Sequence, residues 1–209
     1  FAVAAVVRGE AAQAAGDVSK VNGSVKVEPG KQVGDVSTVN GSVTIGVGAR
    51  AGDVETVNGS LKIEDKAVVG SAETVNGSIT VGAEAEVQKG VDAVNGSLTL
   101  RQGAKVIGGL ENVNGSMLVE GARVEGGLET VNGDIRLATG SHVTGGIHVE
   151  EQKSSWWKGK NSRNPRITIE QGVIVEGPLH FERAVDLYVA PGVTLPPVEG
   201  VQPHRFTLQ

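Results

Sequence analysis

Acidic residues recur at equivalent places along this 209-residue chain, 18 or 19 positions apart. If they stack on neighbouring strands, like charges lie about 5 Å apart, which is destabilising and could attract divalent cations or a basic partner. A calcium site needs about six to eight oxygen ligands, and no second acidic column accompanies the first. We therefore predict a solvated acidic column, with no metal site and no cofactor, formed by Glu55, Glu73, Asp92, Glu111 and Glu129, with Ser37 before it and His148 after it.

A basic and aromatic segment, residues 150–166, interrupts the pattern and holds both tryptophans of the chain. Cations beside an aromatic pair suit a sugar polymer, a membrane surface or an acidic protein face. The same side chains could instead fold back and pack on the fold, or meet the acidic column of another copy in head-to-tail association. The candidate binding residues are Trp156, Trp157, Lys158, Lys160 and Arg163.

Residues for catalysis are few. The four histidines are scattered and no Ser-His-Asp order can be traced, so we name no catalytic residue and expect a non-enzymatic protein. Two enzyme alternatives stay open. One is a polysaccharide lyase or hydrolase that uses acids beside the tryptophans, and the other is a hexapeptide-type acyltransferase that uses an interfacial histidine. Their candidate residues are Glu150, Glu151 and Glu170 for the first and His142 for the second, while His148 and His180 could extend the acidic column.

Composition narrows the function classes further. The chain has 31 glycines but only 3% aromatic residues, so a core must be built from Val, Leu, Ile and Ala in thin, regular layers. A net charge of −5 argues against nucleic-acid binding, which usually requires a strongly basic face. Without cysteine there is no thiolate nucleophile or thiolate zinc site. No apolar stretch approaches the roughly 18–20 residues of a transmembrane helix.

A Val-Asn-Gly-Ser tag repeats every 18 or 19 residues and ends in a Val-Asn-Gly-Asp copy. Stacked asparagine side chains can hydrogen-bond along a ladder, and glycine permits the positive φ that a tight corner needs. We therefore predict a structural asparagine ladder at one corner, formed by Asn22, Asn40, Asn58, Asn76, Asn95, Asn114 and Asn132.

The apolar residues around the tag predict the fold. Val25, Val43 and Leu61 begin one repeating column, Val27 and Ile45 begin another, and polar residues alternate with both. Asn-Gly also suits a hairpin, but a one-residue change in coil length would invert the facing of a meander strand. We predict an all-β, single-stranded parallel β-helix with about 18 residues per coil and about nine coils. We favour the right-handed form over a left-handed hexapeptide helix because the third segment of each coil breaks the hexad.

The phrases Gly103–Glu111 and Gly121–Thr130 resemble the coils of bactofilins, which are polymer-forming bacterial scaffold proteins with a right-handed β-helix. The phrase at Asp53–Ser60 also resembles bacterial adhesin repeats. The resemblance covers the coils only. It implies a structural or adhesive scaffold that could self-associate or bind an envelope polysaccharide or protein.

The extent of the repeats also predicts how the chain divides into segments. We expect residues 1–15 to form a cap helix or the remnant of a signal peptide, 16–149 to form regular coils, and 150–166 to form an inserted loop. Residues 167–195 should add the final coils and 196–209 a Pro-rich cap or tail. A signal-peptide remnant and the adhesin resemblance place the protein in the periplasm, on the cell surface or outside the cell, whereas a bactofilin role would be cytoplasmic. The alternative function is a carbohydrate-binding or carbohydrate-active β-helix with its site near Trp156 and Trp157.

Overall fold

The computed structural model describes residues 16–151 and 163–208, and within these ranges every regular element is a β-strand. The strands form three parallel sheets along a β-solenoid of about ten turns, close to the nine coils that we predicted. No helix in the described part of the chain is long and apolar enough to cross a membrane. The expected cap or signal remnant at residues 1–15 lies outside the described residues.

Each coil contributes one strand to each of two long sheets. The first sheet consists of Val18–Asn22, Val36–Asn40, Val54–Asn58, Ala72–Asn76, Val91–Asn95, Leu110–Asn114, Leu128–Thr130, Ile147–Val149, Leu179–Phe181 and Val198–Gly200. The second sheet consists of Val25–Val27, Val43–Ile45, Leu61–Ile63, Ile79–Val81, Leu98–Leu100, Ser116–Glu120, Asp134–Ala138, Arg166–Ile169, Asp186–Val189 and His204–Thr207.

The third sheet is shorter because its strands have only two residues each. They are Val68–Val69, Glu86–Val87, Lys105–Val106, Arg123–Val124, His142–Val143 and Ile174–Val175. The extra residue of the longer coils lies at the corner after this sheet, between Val87 and Val91. Asp92 therefore still pairs in register with Glu73, as a solenoid allows and a meander does not.

The core is a stack of aliphatic columns, as the alternation predicts. In the strand Val54–Asn58, Val54 and Thr56 are buried while Glu55 is exposed. Alanines at the corner before the third sheet, such as Ala49 and Ala67, are fully buried, which lets the coil turn tightly. Burying one Val, Leu or Ile side chain contributes about 1.5–3 kcal/mol, so the repeated aliphatic columns supply most of the stability, and Phe181 adds a buried aromatic side chain.

The insertion lies at the corner between the first and second sheets. It leaves the first sheet after Val149 and returns to the second sheet at Arg166, where the preceding coils carry the Asn-Gly tag. Arg166–Ile169 nevertheless continues the second sheet, because Ile167 pairs with Ile135. Residues 152–162 lie outside the described part of the chain, and so do the candidates Trp156, Trp157, Lys158 and Lys160.

The stack continues past residue 195, where we expected a Pro-rich cap or tail. Val198–Gly200 and His204–Thr207 add one more strand to each long sheet. Pro196, Pro197 and Pro203 lie outside these strands, so the residues that cannot donate a backbone hydrogen bond flank the ladders without interrupting them.

Candidate contact face

The predicted asparagine ladder is present and continuous from Asn22 to Asn132. Each Nδ2 donates to the Oδ1 of the asparagine one coil earlier, at 3.0–3.1 Å in all six steps. Because every amide also accepts from the next coil, the corner between the first two sheets has a fixed register. The ladder therefore aligns the two faces that meet at this corner.

Glycine follows each ladder asparagine, and at four of the tags the reason is steric and not the φ angle that we predicted. Positive φ occurs at Gly23 and Gly115, as predicted, but not at the intervening tag glycines. A Cβ on Gly59 would lie 2.0 Å from the carbonyl oxygen of Gly41, which also accepts a 2.9 Å hydrogen bond from buried Thr56 Oγ1. Close stacking of backbones thus requires glycine at Gly41, Gly59, Gly77 and Gly96.

The acidic column lies on the outer face of the first sheet, as predicted. Its members are direct neighbours in register, so Glu73 pairs with Glu55 on one side and Asp92 on the other. The same register position continues through His148, His180 and Glu199. The structure therefore brings six acids and two histidines into one line.

A second column, which the sequence analysis missed, runs beside the acids. The valine that precedes each ladder asparagine is about 40% exposed in five successive coils, although valine at a strand usually faces the core. A groove of about 540 Å³ lies along the two columns. The valine column consists of Val39, Val57, Val75, Val94 and Val113, and with the acidic column it forms the contact face.

The acids repel one another at the middle of this face. Partial burial, together with the charges of Glu111 and Glu73, raises the pKa of Asp92 to about 6. Burial and a hydrogen bond with Glu150 also raise the pKa of Glu129. A cationic partner would relieve this repulsion, so the face is electrostatically prepared for positive charge.

One cation already lies near the column. Lys89 Nζ is 2.7 Å from Asp53 Oδ2, and this hydrogen bond lowers the pKa of Asp53 and raises that of Lys89. The lysine side chain is 65% exposed and contacts the corner that precedes the first sheet. Because Lys89 pairs with Asp53, the acids at the centre of the acidic column still face solvent.

The character of the face changes at its C-terminal end. Glu150 and Glu182 directly follow the inward residues Val149 and Phe181, so they occupy the positions that the valine column has in earlier coils. His148 and His180 occupy the positions of the acidic column. The sequences His148-Val-Glu150 and His180-Phe-Glu182 therefore place two imidazoles and two carboxylates on one surface. The ring centroids of the histidines are 5.0 Å apart.

Arg163 is the one candidate binding residue of the loop that lies within the described part of the chain. Its Nη2 lies 2.8 Å from Asp134 Oδ2, at the edge of a second-sheet groove that also contains Arg136 and Glu170. Arg136 holds Glu170 through two contacts of 2.8 and 2.6 Å. The acids of this groove are thus bound to arginines and do not form a pair suited to acid–base catalysis.

The other candidate catalytic residues lie away from the groove that contains Glu170. His142 lies on the third sheet, with Nε2 2.6 Å from Glu176 Oε1 and Nδ1 3.0 Å from Arg123. Glu150 lies beside Glu129, and the backbone N–H of Glu151 donates to Glu182 at 3.0 Å. The structure does not bring these acids into the groove that contains Glu170.

Comparison with protein-family models, with curated proteins and with solved structures finds no match. The fold is shown. The resemblance to bactofilins and adhesin repeats is confined to the sequence of the coils.

Proposed function

We propose that this protein is a non-enzymatic β-solenoid scaffold of the bacterial cell envelope that self-associates through its contact face. The observation that carries the proposal is the pairing of an exposed valine column with an acidic column along one groove. Such a surface offers apolar area together with four successive acids, Glu55 to Glu111, and Lys20 lies at its N-terminal end. Exposed apolar stripes rimmed by charge are typical of protein interaction sites.

The proposed occupant is the basic, aromatic segment of a second copy. Residues 150–166 contain two tryptophans, which suit the valine column, and five Lys or Arg residues. Arg163 already pairs with Asp134 of its own coil, so the lysines Lys153, Lys158 and Lys160 are the cations assigned to the partner. Each contact joins one copy to the next and gives head-to-tail assembly.

Light scattering on a sizing column tests this proposal. The wild type should form oligomers that grow with concentration and dissolve at high salt, because screening weakens exposed charge pairs. Val57→Ser with Val75→Ser should shift the protein to monomer. A matched control, Val47→Ser with Ile107→Ser, removes similarly exposed apolar side chains elsewhere and should leave assembly intact. A wild type that stays monomeric at every concentration contradicts the proposal.

A second candidate function is carbohydrate binding. The rings of Tyr188 and Phe206 stack at 4.6 Å on the outer face of the second sheet, and the Arg166 guanidinium lies 5.1 Å from the Tyr188 centroid. Phe206 is 45% exposed, so one aromatic face is open to a sugar ring. Affinity electrophoresis in soluble envelope polysaccharide should show retardation that Phe206→Ala abolishes. Unchanged mobility of the wild type would eliminate this candidate.

A further inference from the structure

The two histidine–glutamate pairs at the end of the contact face form a cluster that the acidic column does not explain. One ligand atom each from His148, His180 and Glu182 lie within 4.8 Å of one another. A second group, Glu129, His148 and Glu150, shares His148. Two imidazoles with one carboxylate form the ligand set of open zinc sites, in which water or another molecule takes the fourth position.

The distances suit a tetrahedral ion. Ligand atoms about 2.1 Å from zinc lie about 3.4 Å apart at the tetrahedral angle. His148 Nε2 and Glu182 Oε1 are 3.3 Å apart, and the two rings meet edge to face at an interplanar angle of 67°. Both histidines belong to adjacent strands of one ladder, which holds their backbones at a fixed spacing.

Carboxylates lie beside the Nδ1 atoms of both imidazole rings. Nδ1 of His148 lies 3.7 Å from Glu129, and Nδ1 of His180 lies 3.5 Å from Glu199. A carboxylate on one ring nitrogen leaves the other nitrogen for the metal and raises its basicity. Glu182 is held too, because its Oε2 accepts from the Glu151 backbone N–H at 3.0 Å while Oε1 faces His148.

We propose that His148, His180 and Glu182 bind a divalent first-row transition-metal ion, with Zn²⁺ as the best-matched member of that class. Imidazole ligands favour zinc over Mg²⁺ and Ca²⁺, which require oxygen ligands. The side chains are about one-third to two-fifths exposed, so an ion can enter from solvent. The ion would join the coils before and after the insertion.

Calorimetric titration of the full chain with ZnCl2, at a concentration where the protein is monomeric, tests this site independently of self-association. We expect one Zn²⁺ per chain, little response to MgCl2, and a thermal midpoint raised by on the order of 5 °C at saturating zinc. His148→Gln and His180→Gln should each weaken binding at least about tenfold. Circular dichroism would verify that these partly exposed substitutions leave the strands folded.

Matched variants define the ligand set. His142→Gln changes a histidine that also contacts a carboxylate but lies on the third sheet, and it should leave zinc binding unchanged. Glu150→Gln should also retain binding. The assignment is overturned if no zinc binds, if His142→Gln abolishes binding, or if Glu150→Gln abolishes it while His180→Gln does not. As an independent readout, Co²⁺ should give the absorption bands of a tetrahedral complex, and these should disappear in His180→Gln.

Discussion

Arg183 ends the asparagine ladder by donating from Nη1 to Asn132 Oδ1 at 2.8 Å, across 51 residues of sequence. The same nitrogen lies 3.2 Å from the carbonyl oxygen of Val131. Asn132 is the last asparagine of the ladder, because the insertion replaces the tag in the next coil. A guanidinium from the coil beyond thus satisfies the acceptor that the missing asparagine would have used.

Arg183→Ala should destabilise the protein by about 1–2 kcal/mol, because it removes charge-assisted hydrogen bonds from partly buried acceptors. Urea unfolding measures the effect. Arg163→Ala, which breaks an exposed ion pair with Asp134, should cost less than about 1 kcal/mol. Equal losses in the two variants would show that the ladder end needs no cap.

Gly77→Ala should be far more damaging than an ordinary surface substitution. Its Cβ would lie 2.0 Å from the carbonyl oxygen of Gly59, and backbone on both sides prevents relaxation. We expect a loss of at least about 2 kcal/mol in urea unfolding. Gly16→Ala, where no atom of the described residues lies within 4 Å, should stay within about 0.5 kcal/mol of wild type. A tolerated Gly77→Ala would refute the steric account of the tag.

Asn76→Ala breaks two ladder hydrogen bonds, one to Asn58 and one from Asn95. Because the ladder is exposed to solvent, the expected cost is about 1 kcal/mol. Asn22→Ala removes only the bond from Asn40 and should cost about half as much. Chemical denaturation of both variants compares them, and identical costs would mean that the ladder bonds contribute no stability of their own.

Asp92→Asn should stabilise the protein at pH 7. The pKa of Asp92 is raised to about 6 in the fold, so between about pH 4 and 6 the folded state holds a proton that the unfolded state has lost. Stability contributed by this group therefore falls as pH rises through that window. We expect a gain of about 1 kcal/mol at pH 7, discounted for partial exposure, and almost none at pH 4.

Glu55→Gln is the control for this pH dependence. Glu55 is exposed and has Ser37 on one side, so it faces only one carboxylate, Glu73. Its substitution should change stability less than Asp92→Asn does. If Asp92→Asn gives the same gain at pH 4 and pH 7, charge repulsion in the column is not the cause.

The features that repeat with a fixed period could be predicted from the sequence. Equal spacing of the tag and of the acids implies stacking, so the ladder and the acidic column followed from residue numbers alone. The valine column was missed because valine in a strand normally predicts burial. Each of these valines nevertheless follows an inward position directly, and the alternation along a strand then predicts that it points outward. The preference for a right-handed coil stays a prediction.

Features that break the period were not predictable in the same way. The capping contact of Arg183 depends on where the chain re-enters the stack after an insertion, which no local pattern specifies. The pairing of His148 with His180 likewise spans that insertion. A signal did exist, since both segments read His-x-Glu at outward positions. The sequence analysis placed both histidines in the line of the acidic column but did not consider them as metal ligands.

A charge-swap mixing experiment tests self-association through the contact face most directly. One variant carries Lys153→Glu, Lys158→Glu and Lys160→Glu, and the other carries Glu55→Lys, Glu73→Lys and Glu111→Lys. In light scattering each variant alone should be monomeric. In an equimolar mixture the unaltered loop of one variant can bind the unaltered face of the other, and the altered loop and altered face are also opposite in charge. The mixture should therefore form oligomers in which the two variants alternate. Variants that assemble alone as the wild type does, or a mixture that stays monomeric while the wild type assembles, would contradict the account.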